Sequence, residues 1–193
     1  MAMDHVAAPT DEIESAEATL VVLQEVLGGI ETADLTRQTP CSEFDVAKLT
    51  DHLMESITAI GGAAGAVFGP RDPDAPPLAQ ISAAADAALD AWRRRGLDGT
   101  VSIGANEAPA IVAAGILSIE FLVHAWDYAI ATGQHITVPE PVADYVLGLA
   151  RRIITPPGRT AVGFADPVDA RAGADAFEQL IAFTGRTPVS QCR

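Results

Sequence analysis

Glu120, His124 and Asp127 stand at spacings i, i+4 and i+7, and at 100° per residue these positions share a helix sector about 60° wide. A Glu-x-x-x-His pair on one helix face can aim a carboxylate oxygen and an imidazole nitrogen at a single point. That pairing suits zinc or another borderline divalent ion. The surrounding residues Ile116, Leu117, Phe121, Leu122 and Val123 are apolar, and a carboxylate buried among them needs a partner or a cation. A third donor is available in His52, on the flank of a stripe formed by Val46, Leu49, Leu53, Ile57 and Ile60. Ligation by His52, Glu120 and His124 would leave coordination positions open, as in catalytic rather than structural sites. The spacing fits a metal-free arrangement equally well. In that arrangement His124 pairs with Asp127 or Glu120 inside the core, and His52 satisfies a backbone group.

These residues must be held by helices. Thr10 or Asp11 can cap a first helix ending near Leu27, before Gly28-Gly29. Ser42 with Asp45 three residues later reads as a capping box opening a second helix. Residues 61–77, rich in Gly and Pro, form a loop, and a third helix covers about 78–95. Residues 96–106 make a crossover connection. The run Thr100-Val101-Ser102-Ile103 could be extended but is too short to predict a sheet. A fourth helix over 108–132, closed by Gly133, is apolar nearly all round and therefore buried. A fifth runs from Pro139-Glu140 to about Ile154. After a break at Pro156-Pro157-Gly158, a last helix spans about 170–184, ended by Gly185. Four substantial helices and two shorter C-terminal ones predict an all-α bundle with one long crossover.

The bulk properties fit a single globular domain over residues 1–193: 49% hydrophobic residues and 20% charged. A net charge of −14 repels phosphate backbones and anionic bilayers, so neither nucleic acid nor membrane is an expected partner. Eleven of the twelve basic residues are Arg, Lys48 being the exception. With the abundant Ala, this points to GC-rich coding DNA of the actinobacterial kind. Residues 1–10 lack the features of a secretion signal, and no uninterrupted apolar run approaches about 18 residues, so a cytoplasmic location is expected. Cys41 and Cys192 read as free thiols. Cys41 precedes a helix N-terminus, but no base is placed beside it, which favours a structural role. His5 and His135 read as surface residues, Trp126 and Phe121 as core, and Arg93-Arg94-Arg95 as neutralising a helix C-terminus.

The run Thr39-Pro40-Cys41-Ser42-Glu43-Phe44-Asp45-Val46 with Leu49 and His52 resembles the mycothiol-dependent maleylpyruvate isomerase family, within the DinB-like metal-binding superfamily. So do Glu120, His124-Ala125-Trp126-Asp127, Ala131-Thr132-Gly133 and the late Ala182-Phe183-Thr184-Gly185-Arg186. The resemblance implies a four-helix core holding a divalent metal, zinc foremost and nickel as the alternative, on His52, Glu120 and His124. Asp127 would orient His124. It further implies mycothiol or a similar thiol as cosubstrate, a small electrophile as the other partner, and a homodimer. The full isomerase carries a C-terminal domain resembling sterol carrier proteins, which this chain is expected to lack. The expected chemistry is thiol transfer or cis-trans isomerisation. The alternative is a non-enzymatic, stress-related metal- or small-molecule-binding bundle.

Overall fold

The computed structural model describes residues 7–156, 159 and 164–187. His5, Cys192 and the Pro157-Gly158 part of the predicted break lie outside them. The Asp11 carboxylate accepts hydrogen bonds from the backbone N–H of Ile13 and Glu14, each 2.9 Å, and so opens helix α1 (Glu12–Leu27). Helix α2 (Val46–Ala63) starts later than the predicted capping box. Its cap is Asp45, which accepts from Lys48 N–H at 2.8 Å. Ser42 lies instead in a loop folded on Thr39, whose hydroxyl donates to the carbonyls of Phe44 (2.7 Å) and Cys41 (3.1 Å). The local hydrogen bonds available to Thr39 and Gln38 outcompete an extra helical turn there.

Helix α2 also runs past the predicted stop at Gly61. A Cβ on that residue would come 2.6 Å from the Ala88 Cβ, so this glycine lets α2 lie close against α3 (Pro77–Arg95) rather than ending a helix. Among the described residues the one sheet is the antiparallel hairpin of β1 (Thr100–Ile103) and β2 (Asn106–Pro109), in the register Val101↔Ala108 and Ser102↔Glu107. The sequence reading stopped short of this hairpin. Its signal was Gly104, which opens a two-residue turn at φ 59°, the position where a type II′ turn takes glycine. Arg95 ties the hairpin back to α3 by donating to the carbonyls of Gly96, Asp98 and Thr100.

Helix α4 (Ala110–Thr132) is the buried centre, followed by α5 (Glu140–Ile153) and α6 (Ala176–Phe183). The last helix begins well after residue 170, because Asp175 and Glu178 form a capping box that fixes its start. α4 is long and apolar enough to cross a bilayer, with mean hydropathy 1.5, but 83% of that window is buried within the chain. The all-α, DinB-like bundle is thus formed by α1 to α4 around one core, with α5 and α6 packed on its side. Each of α1 and α2 packs on both α3 and α4. The sequential pairs α1/α2 and α3/α4 share little contact and so lie across the bundle diagonals. Two connections therefore cross the bundle, residues 28–45 and 96–109, where the sequence reading expected one.

Candidate metal centre

Helix α2 presents His52 and the facing α4 presents Glu120 and His124. The Nε2 atoms of His52 and His124 lie 3.7 and 3.6 Å from the same Glu120 Oε2. One ligand atom from each of the three residues lies within 4.8 Å of the others. Two donors bonded at about 2.0–2.2 Å to one tetrahedral ion stand roughly 3.3–3.6 Å apart, so little movement separates these side chains from shared coordination. Among the described residues the buried Glu120 Oε2 has no hydrogen-bond partner, an acceptor of the kind a cation would satisfy. Two imidazoles and one carboxylate are also a donor set found in catalytic zinc sites with one position free. The residues therefore fit a divalent ion.

Each candidate ligand has its own support. Phe44, from the folded 39–44 loop, stacks on His52 with ring centroids 5.1 Å apart. The His52 and His124 rings meet edge to face at 5.3 Å. The His124 side chain is 6% exposed and that of His52 37%, so the cluster opens toward solvent on the His52 side. His124 Nδ1 lies 2.9 Å from Asp127 Oδ2. An ionised carboxylate can only accept, so Nδ1 carries the proton and Nε2 is the atom left to face Glu120.

Burial pulls the His52 pKa down, and Glu120 only partly restores it, so His52 is neutral and its lone pair is available. Burial also opposes charge on His124, but Asp127 and Glu120 outweigh it and lift the imidazole to about 9. For Glu120 burial acts upward, while His124, His52 and Ser56 hold the carboxyl below its ordinary range. At 3.6 Å the Glu120–His124 contact is an ion pair rather than a hydrogen bond. It follows that zinc uptake at neutral pH should release about one proton from His124 Nε2. Calorimetric titrations in buffers of different ionisation enthalpy would measure it, and uptake without proton release would mean that His124 is already neutral.

The structure brings His52, Glu120, His124 and Asp127 into one cluster and leaves the other candidates elsewhere. His135 is exposed, Cys41 is a half-buried free thiol, and Trp126 and Phe121 belong to the core. The basic run at the end of α3 does more than neutralise: Arg93 pairs with Glu17 at 2.8 Å and Arg95 holds the hairpin. What sequence reasoning missed is Arg186, which donates through Nε and Nη2 to both oxygens of Asp127, at 2.8 and 2.7 Å. Its signal was the Thr184-Gly185-Arg186 motif, noted only as a resemblance.

Two uncharacterised proteins of Mycobacterium tuberculosis, from strains CDC 1551 / Oshkosh and H37Rv, are each 32% identical to this chain over 167 residues. The matches cover 84% of this chain and 90% of each relative. No solved structure matches it. The family model described as the mycothiol maleylpyruvate isomerase N-terminal domain matches residues 16–129. That stretch extends from α1 into the last turns of α4 and takes in every candidate ligand, which makes the chain a member of the mycothiol maleylpyruvate isomerase N-terminal domain family.

Proposed function

We propose that the protein is a divalent-metal-dependent enzyme that joins a low-molecular-weight thiol, mycothiol or one like it, to a small electrophile. The observation that carries this reading is the buried Glu120 Oε2, without a hydrogen bond among the described residues, facing two imidazole Nε2 atoms in a cluster open on one side. His52, Glu120 and His124 would hold the ion, zinc foremost. When bound, such an ion supplies Lewis acidity that lowers the pKa of a thiol donor. Asp127 keeps Nδ1 of His124 protonated, so that Nε2 is the nitrogen that would give up its proton to an ion. Phe44 restricts the His52 ring, and the apolar wall of α4 excludes water from the closed side.

The reaction class this serves is addition of a thiolate sulfur to one carbon of a conjugated double bond, whose π electrons pass to the conjugated carbonyl oxygen as an enolate. Rotation about the resulting single bond and expulsion of the same thiolate, which re-forms the double bond, gives cis-trans isomerisation, whereas protonation of the enolate by the proton the thiol gave up retains the carbon–sulfur bond and gives S-transfer. Use of a free thiol fits a reducing compartment, hence the cytoplasm.

The test presents mycothiol and a panel of electrophiles, maleylpyruvate included, to zinc-loaded protein and to the His52→Ala variant. Thiol-dependent turnover by the first and not the second is expected. Equal rates would reject the reading, and no turnover on any electrophile would favour a non-enzymatic metal-binding bundle.

A further inference from the structure

The guanidinium of Arg186 is committed to one task. Its Nε and Nη2 form a two-pronged contact with Asp127, whose side chain is fully buried, and among the described residues Nη1 reaches only the Thr184 carbonyl at 3.3 Å. Asp127 Oδ2 is shared between Arg186 and His124 Nδ1. A carboxylate held by one hydrogen bond can rotate, whereas one gripped on both oxygens cannot without breaking the fork.

The backbone around Arg186 is built to aim it. Gly185, at φ 82°, turns the chain at the end of α6, and the Arg186 N–H closes the turn on the Ile181 carbonyl at 3.1 Å. A Cβ on Gly185 would meet Ala165 backbone atoms at 2.9 Å, so a larger residue would push the turn away. The Arg186 guanidinium lies 5.9 Å from the centre of the Phe164 ring. Arg186 is beyond residue 129, where the family match ends.

We propose that Arg186 is a positioning residue of the metal centre: it locks Asp127, which locks the His124 ring with Nε2 toward Glu120, making the turn after α6 part of the site. This rests on the metal-centre reading above. The fork is what matters, so Lys, with equal charge and no planar pair of donors, should not replace it.

The test compares the full-length protein with Arg186→Lys and Arg186→Ala. Zinc affinity would be read by competition with a chromophoric chelator, the cobalt(II) absorption spectrum would report ligand geometry, and circular dichroism would check the fold. In both variants zinc affinity should fall about 10–100-fold, as for other groups that orient a metal-bound imidazole. The cobalt band should shift, and methylguanidinium should restore part of the affinity of Arg186→Ala. If that variant fails to fold, Arg186→Lys alone supplies the comparison. In metal-free protein the His124 Nδ1 proton should exchange slowly in the parent and rapidly in the variants. Parent-like affinity and spectrum in a folded variant would overturn the proposal. A parent that binds no zinc would instead overturn the metal-centre reading, and equal Nδ1 exchange would then remove the positioning role too.

Discussion

Replacing Asp127 by Ala should destabilise the metal-free protein by about 3–5 kcal/mol, the range for removing one partner of a buried ion pair. Asp127 is fully buried and serves two cations, the His124 imidazolium and the Arg186 guanidinium, both nearly buried themselves. Its removal strands the guanidinium and leaves His124 with the more distant Glu120 alone. Burial works to raise the Asp127 pKa, but His124 and Arg186 more than reverse it, so the folded value lies below the ordinary one. Its contribution is therefore present above the ordinary carboxyl range and lost in acid. The His124 share runs the other way: with a pKa of about 9 in the fold against 6.5 ordinarily, it is complete below 6.5 and lost as pH rises through about 9. The gap between parent and variant in urea denaturation should thus be widest between those limits and narrow on either side. A loss under about 1 kcal/mol, typical of exposed pairs, would show that Asp127 is not paired as described.

Glu120→Leu should have the opposite sign on stability and the larger effect on function. The substitution removes a buried oxygen that no hydrogen bond satisfies among the described residues, and His124 keeps Asp127 as its counter-ion. Loss of the attraction to His124 offsets part of the gain. The cost of about 3–5 kcal/mol for breaking a buried pair comes from the charge left unpaired, and with Asp127 still on His124 Nδ1 no charge is left so here. The metal-free variant should therefore unfold at the same or a higher temperature than the parent while no longer taking up zinc. A strongly destabilised variant would show that Glu120 is a structural ion-pair partner, and unimpaired zinc binding would remove it from the centre. A ligand position should stand out as one where stability and metal affinity move apart.

Most of the fold was legible where the hydrophobic period was long. The stripe of α2 and the all-round apolarity of α4 identified the helices, and the i, i+4, i+7 spacing identified the polar face of α4. His52 was placed obliquely on α2, as observed, because helical phase is a local property. The errors fell where short-range hydrogen bonding decides. Ser42 could have capped a helix, but Thr39 and Gln38 offer its loop a better-satisfied alternative. Gly61 looked like a helix stop, and only the position of Ala88 reveals it as a contact. Arg186 was out of reach for another reason: its partner is 59 residues away, and no periodicity links a post-helical turn to a carboxylate on α4. Long-range polar pairing leaves little trace in a single sequence.

The diagonal placement of sequential helices also bears on how the chain reaches its fold. α1 makes its largest contact with α4, and α1 and α2, made one after the other, scarcely touch. No helical hairpin of first neighbours is available as an early nucleus at that end. At synthesis rates of about 5–20 residues per second, the apolar face of α1 must wait on the order of seconds for α4 to leave the ribosome. Folding should accordingly be slow for an all-helical protein of this size, with a rate set by distant contacts, and nascent chains halted before α4 should be the ones that engage chaperones.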